Sequence, residues 1–262
     1  MRVLVPWAAV TTAPDLATAL RAADAADAVT LPRFCAPDLA VGTKADATVV
    51  TEADRRAEQV IREVIGREAP NDAILGEEYG SDGEAARRWI VDPIDATVNF
   101  VRGVPVWGTL IALEIDGAVT CGVVSAPALG MRWWAHRGGG AWCNGRRISV
   151  SGVTDLAEAH LSLNSLDGFP PARLDAAMAL SRQCSRTRGF GDFWAFMLLA
   201  EGGVDIVVEP VAAIWDLAPL TVIVEEAGGR FTSLDGSPGI DHGHALATNG
   251  HLHPAALASL AS

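Results

Sequence analysis

Apolar residues change their spacing several times along the chain, and each change marks an element. From Pro14 to roughly Phe34, the Ala-rich stretch "PDLATALRAADAADAVTLPRF" sets Leu16, Leu20, Ala23 and Asp27 at helical intervals. Pro14 suits a first helical turn, so the stretch predicts a helix. Asp54 begins or precedes a second, amphipathic helix that carries Ala57, Val60, Ile61, Val64 and Ile65 and stops near Gly66 to Pro70. "AILGEEYG" (73–80) and "RWIVDP" (88–93) read as buried strands ending in acidic residues. The segment 107–151 continues as a meander, because Asp116-Gly117 and Asn144-Gly145 are hairpin dipeptides flanked by strand formers. Beyond about residue 150 the pattern alternates, with strands over 159–164, 186–190, 204–208 and 230–233 and helices near 171–182, 192–201 and 216–227. The expected architecture is an α+β half with a mainly antiparallel sheet over 1–150, then an α/β half over 151–262, stacked as layers.

Composition narrows the class. Half of the 262 residues are apolar, enough for a substantial core without covalent staples. The formal charge of −12 and the lack of a basic stripe argue against a nucleic-acid partner, whose affinity depends on clustered cations. Lys44 is the only lysine. No apolar run reaches about 18 residues without a charge, so no membrane span is expected, and "MRVLVPWAAV" reads as a loose amino-terminal extension. Cys35, Cys121, Cys143 and Cys184 are scattered, which predicts free buried thiols in a reducing cytoplasm. His242, His244, His251 and His253 lack a matching Cys or acidic set for zinc and are expected in loops.

The chemistry concentrates in "WIVDPIDATVNF", Trp89 to Phe100. Fully extended, Asp92 and Asp95 would lie roughly 10 Å apart. Asp-Pro favours a β-turn, which would bring its ends within about 7 Å and aim both carboxylates into one space. Carboxylates held that close repel unless protonated or bridged, and hard Mg²⁺ with oxygen ligands is the natural bridge. Alone, D-P-x-D reads as a capped turn beside a solvated acid; Glu77-Glu78 after one strand, Asp216 at a helix start and Thr97 close by turn the reading towards a shared metal site. With Asp216 as N-cap of "LAPLTVIVEEA", Pro219 would fall at the third helical position, where a missing N–H is tolerated, and Gly228-Gly229 would end the helix.

"GEEYG", "WIVDPIDATVNF" and "IWDLAPLTVIVEEAGG", in this order and spacing, closely resemble the inositol monophosphatase family of Mg²⁺-dependent phosphomonoesterases, and the resemblance runs from about Pro14 onward. It implies a layered αβαβα sandwich and a homodimer. Residue by residue, it implies that Glu77, Asp92, the carbonyl of Ile94, Asp95 and Asp216 ligate two or three Mg²⁺, while Thr97, with Asp54 behind it, orients the attacking water. The substrate would be a small phosphate monoester, held in part by Asp95, Ala96, Thr97 and Asp216. One departure stands out: the family has glycine where this chain has Ala96, whose methyl is expected to crowd the phosphate or strain the turn while its N–H remains available.

No G-x-S-x-G elbow or P-loop is present, and Gly138 to Gly140 read as hairpin glycines. Within the family, "NFVRGVPVWGTLIAL", "VVSAPALGMRWWAHRGGGAW" and "RGFGDFWAF" are most similar to the histidinol-phosphate phosphatases of actinobacterial type. An ammonium- and imidazole-bearing substrate would favour extra carboxylates, for which Asp192 and Glu209 are the candidates; Arg188 would contact phosphate or fix Asp192. Asp192 reads equally as an N-cap. Trp107, Trp133 and Trp134 read as core or dimer packing in preference to imidazole stacking. An inositol-1-phosphate or other small-metabolite phosphatase is the alternative, and a non-catalytic relative the third reading.

Overall fold

The computed structural model describes residues 13–45 and 47–261, so the expected amino-terminal extension lies outside the described residues. The elements, in chain order, are α1 (Pro14–Arg33), β1 (Val41–Thr43), β2 (Val49–Thr51), α2 (Glu52–Glu68), β3 (Ala73–Gly76), β4 (Gly80–Asp82), β5 (Arg87–Asp95), α3 (Thr97–Val101), β6 (Gly108–Ile115), β7 (Ala118–Ala126), β8 (Met131–His136), β9 (Gly140–Cys143) and β10 (Arg146–Ile148). Then follow β11 (His160–Leu163), α4 (Pro171–Gln183), β12 (Arg186–Arg188), α5 (Asp192–Ala200), β13 (Ile206–Glu209), α6 (Ile214–Glu226), β14 (Arg230–Thr232), β15 (Ala245–Thr248) and α7 (His253–Leu260).

Two sheets and three helical layers alternate as αβαβα. The first sheet has the order β10-β9-β8-β7-β6-β5-β3-β4, antiparallel except for the β3–β5 pair. Its central strands are apolar on both faces because both faces are covered. Trp89, Val91, Ile111, Leu113, Val123 and Trp134 pack under α1 and α2. Their neighbours Ile90, Leu110, Ala112, Val124 and Trp133 point the other way, onto α5 and α6. Alanines 19, 22, 23 and 26 are fully buried, and these small side chains let α1 lie close to the sheet. Trp107, Trp133 and Trp134 are all core residues.

The second sheet, β12-β11-β13-β15-β14, backs the α5/α6 layer with one face and packs α4 and α7 on the other. Only β12, β11 and β13 run parallel; β15 is antiparallel to both its neighbours. The alternation read from sequence missed β15 and α7, and with them the mixed character of this sheet. His253 is therefore not a loop residue. It starts α7 fully buried, its two ring nitrogens within 3.1 Å of the Thr232 and Thr248 hydroxyls.

Three further expectations change. The helix expected to start at Asp216 begins at Ile214, with Ala213 as N-cap and Asp216 at the third position, where its Oδ2 accepts from Ala213 N at 2.7 Å. Pro219 thus sits inside α6, and a Cβ on Gly122 of β7 would meet its Cα at 2.8 Å, so the glycine makes room for the helix. Residues 41–51, which fall outside every element expected from the sequence, contain the β1–β2 hairpin. Cys121 and Cys143 are buried, but Cys35 is exposed. No helix among the described residues is long and apolar enough to cross a membrane.

Candidate active site

The last residues of β5 carry the first two acids. Asp92 pairs with Leu110 and Asp95 with Gly108, so three steps on β5 face two on β6. A β-bulge, not the expected β-turn, brings Asp92 and Asp95 to the same side. Pro93 suits the irregularity, because it has no N–H to offer the ladder, and its carbonyl accepts from Thr109 Oγ1 at 2.8 Å. Ile94 turns into a small core with Phe100 and Trp107, whose rings meet edge-on at 4.8 Å. Ala96 then adopts a left-handed conformation, φ 63° and ψ 48°, and the short helix α3 follows.

Asp92, Asp95 and Asp216 each place a carboxylate oxygen within 4.8 Å of the others, and the first two are nearly inaccessible. Asp216 arrives from α6 in the second half of the chain. Burial, then the charges of Glu77, Asp95 and Asp216, raise the Asp92 pKa well above the usual carboxylate value. Asp95 is raised likewise by burial and by Asp192 and Asp216, against the Phe193 N–H that donates to its Oδ2 at 3.0 Å. Asp216 is pushed up to about 6, first by burial. Such a set suits Mg²⁺, which holds oxygens at about 2.1 Å, so that ligands of one ion lie at most about 4.2 Å apart. A spread of up to 4.8 Å leaves room for adjacent ions.

Glu77 follows β3, anchored by its own N–H to Val91 O at 3.1 Å. Its Oε1 takes Lys44 Nζ at 2.7 Å, and the same ammonium reaches Glu78 Oε1 at 2.6 Å. Burial alone would lower the Lys44 pKa, but the hydrogen bonds to Glu77 and Glu78 outweigh it and raise it. Asp54 closes a capping box on α2 by accepting from Thr51 N at 2.8 Å. Its Oδ1 lies 3.2 Å from Thr97 Oγ1, which also lies 3.0 Å from Ile94 O; the two acceptors compete for one proton.

Beside the acids lies a cavity of ≈ 50 Å³ lined by Asp95, Asp192, Phe193, Glu209, Ala212 and Asp216. Larger clefts of ≈ 320 Å³ near Asp72 and ≈ 450 Å³ near Arg55 gather no comparable set of oxygens among the described residues. Glu209 is buried at the end of β13, its Oε2 accepting from Asn164 Nδ2 at 2.8 Å while Oε1 has no hydrogen bond of good geometry. Burial pushes its pKa up to about 7, against Asn164 and the Val211 amide. Asp192 opens α5 with φ 45°, exposed on one side and raised in pKa by desolvation on the other. Arg188 stands apart: it is exposed on β12 with Nη1 donating to Thr187 O at 2.7 Å, and among the described residues no hydrogen bond or ion pair links it to Asp192. The 138–140 glycines form the β8–β9 turn, whose Gly138 and Gly140 amides donate to Glu226 at 2.9 and 2.8 Å, an internal carboxylate. Lys44, Asn164 and the Phe193 amide were not foreseen as partners of the site; of these only Lys44, alone of its type, stood out in sequence.

Layered sheets with clustered acids at the end of a bulged strand suit a metal-dependent hydrolase, and similarity to known proteins makes the class a phosphoric monoester hydrolase. The chain belongs to the inositol monophosphatase family, whose profile matches residues 12–262. It is 51% identical over 253 residues to a histidinol-phosphatase of Mycobacterium tuberculosis, covering 94% of this chain and 97% of that one. A histidinol-phosphatase of Streptomyces coelicolor is 50% identical over 91% of this chain and 94% of its own. An inositol monophosphatase structure from Zymomonas mobilis superposes with a TM-score of 0.85 at 34% identity, covering 95% of this chain and 98% of that one.

Proposed function

We propose that this enzyme hydrolyses histidinol phosphate to histidinol and phosphate, with two or three Mg²⁺ as cofactor. The observation that carries the substrate reading is Glu209, a buried carboxylate with an unanswered oxygen on the cavity beside the acids. Inositol phosphate offers such an oxygen only neutral hydroxyls; histidinol phosphate offers cationic nitrogen donors, which bind a carboxylate about twice as strongly. The similarity to two histidinol-phosphatases points the same way.

In this reading Glu77, Asp92, Asp95, Asp216 and the Ile94 carbonyl hold the ions. Bound Mg²⁺ supplies neutralisation of the phosphate dianion and a water of lowered pKa. Thr97, donating to Asp54, keeps its lone pairs for a hydrogen of the attacking water. The Ala96 and Thr97 amides face the phosphate, and Asp192 and Glu209 receive the cationic end of the substrate. Arg188 would have to swing from Thr187 to take part. The compartment we propose is the cytoplasm, supported by four free thiols, and the assembly a homodimer.

The test is phosphate release from histidinol phosphate, inositol-1-phosphate and a nucleoside monophosphate, with and without Mg²⁺. Histidinol phosphate should lead, and only with metal. Asp192→Asn should raise its KM while leaving the inositol ester unaffected. A wide margin for inositol-1-phosphate overturns the substrate reading, and absence of turnover on all three favours the non-catalytic reading.

A further inference from the structure

We propose that Glu58, with Arg62, is the positioning residue for Glu77; the proposal rests on the reading of Glu77 as a metal ligand. Glu58 is fully buried, and a buried carboxylate is tolerated only where hydrogen bonds and a counter-charge answer it. Here they come from the turn that carries Glu77. Glu58 Oε2 accepts from Glu78 N at 2.7 Å and Oε1 from Tyr79 N at 3.2 Å. Arg62 Nε donates to Oε1 at 2.8 Å, and Arg62 Nη2 reaches past it to Gly80 O at 2.6 Å. The Glu58–Arg62 pair therefore holds the backbone of Glu78, Tyr79 and Gly80, the residues immediately behind Glu77.

Two further details fit a built bracket. A Cβ on Gly76 would lie 2.0 Å from Glu58 Oε1, so the strand before the turn is shaped around this carboxylate. Asp54 lies one helical turn before Glu58 on α2, and its Oδ1 meets Thr97 of the other acid-bearing segment. Residues four apart share a helix face. One face of α2 thus grips both segments, Asp54 at 94–97 and Glu58 at 77–80, and fixes the distance between them.

Glu58→Gln tests this sharply, because the amide keeps the shape but turns an NH₂ towards a backbone donor. Gly76→Ala, at a position of ordinary strand φ, should displace the same carboxylate from the other side. Mn²⁺ binding measured by equilibrium paramagnetic resonance should weaken about tenfold or more in either variant, the range typical of groups that orient metal ligands. Amide exchange at 78 and 79 should accelerate in the metal-free protein, and half-saturating Mg²⁺ for histidinol phosphate hydrolysis should rise more than kcat falls. Folded variants with faster exchange but wild-type Mn²⁺ affinity overturn the proposal and leave Glu58 a purely structural residue. If Glu58→Gln does not fold, Gly76→Ala decides by the same readings. Glu77→Gln separates the two levels: wild-type Mn²⁺ affinity there defeats the reading of Glu77 itself, whereas weakened affinity there with none in the Glu58 and Gly76 variants defeats only the positioning role.

Discussion

Ala96 holds a conformation that glycine adopts freely, and its replacement measures how firmly the fold imposes that turn. An L-residue in the left-handed region costs roughly 1–2 kcal/mol. Glycine removes that cost but gives the unfolded chain more freedom, worth about 0.4–1 kcal/mol, and gives up a half-buried methyl worth about 0.4 kcal/mol. The balance for Ala96→Gly is a gain of about 0.5 kcal/mol, one to two degrees in Tm for a chain of this size. Ala96→Val goes the other way, since a β-branched side chain at φ 63° is strained beyond alanine and should lower Tm by several degrees. Differential scanning calorimetry of the three proteins with and without Mg²⁺ should give the series Gly, Ala, Val in falling order of Tm. The strain is intrinsic to the backbone, so the order should survive metal binding. A valine variant as stable as wild type would mean that the 92–97 segment relaxes out of the left-handed turn, and the account of how Asp95 and Thr97 are aimed would fail with it.

Asp92→Asn removes a carboxyl group whose pKa is raised by burial and by its acidic neighbours. In EDTA its Tm should exceed that of wild type, while Mg²⁺-dependent turnover falls by at least about 10²-fold; a lower metal-free Tm would contradict the repulsion argument. His253, whose pKa burial lowers to about 4, contributes stability that is fully present above the unfolded value near 6.5 and is lost as pH falls from there towards 4, roughly 3 kcal/mol in all. Urea midpoints of wild type and His253→Gln should therefore converge below pH 6.5, the difference between the curves cancelling the acids of the site. Gly122→Ala would drive a methyl against Pro219 backbone at 2.8 Å and should cost about 2 kcal/mol by separating α6 from β7, read as a lower urea midpoint.

The acids themselves were legible in sequence, because carboxylates at the ends of apolar runs are a local signal. The way they meet was not. Asp-Pro suggested a turn, but the bulge depends on the register of β5 against β6, set by side chains more than ten residues away. Pro219 suggested a first-turn position, whereas it sits inside α6, whose backbone there lies against Gly122 on a distant strand. β15 is a four-residue run without periodic flanks, and it exists because β13 and β14 pair with it from both sides. Glu58 does carry a local signal, an acid on the buried stripe of α2 between Ala57 and Ile61. What sequence withholds is thus the identity of the groups that answer each charge. Asp95 is held by the Phe193 amide and Glu209 by Asn164, and neither partner is chemically unusual in its own neighbourhood. A motif can therefore nominate the acids, but the groups that hold them in place are amides and carboxamides brought in by the second sheet and α5, where substitutions that change no charge should disturb the site.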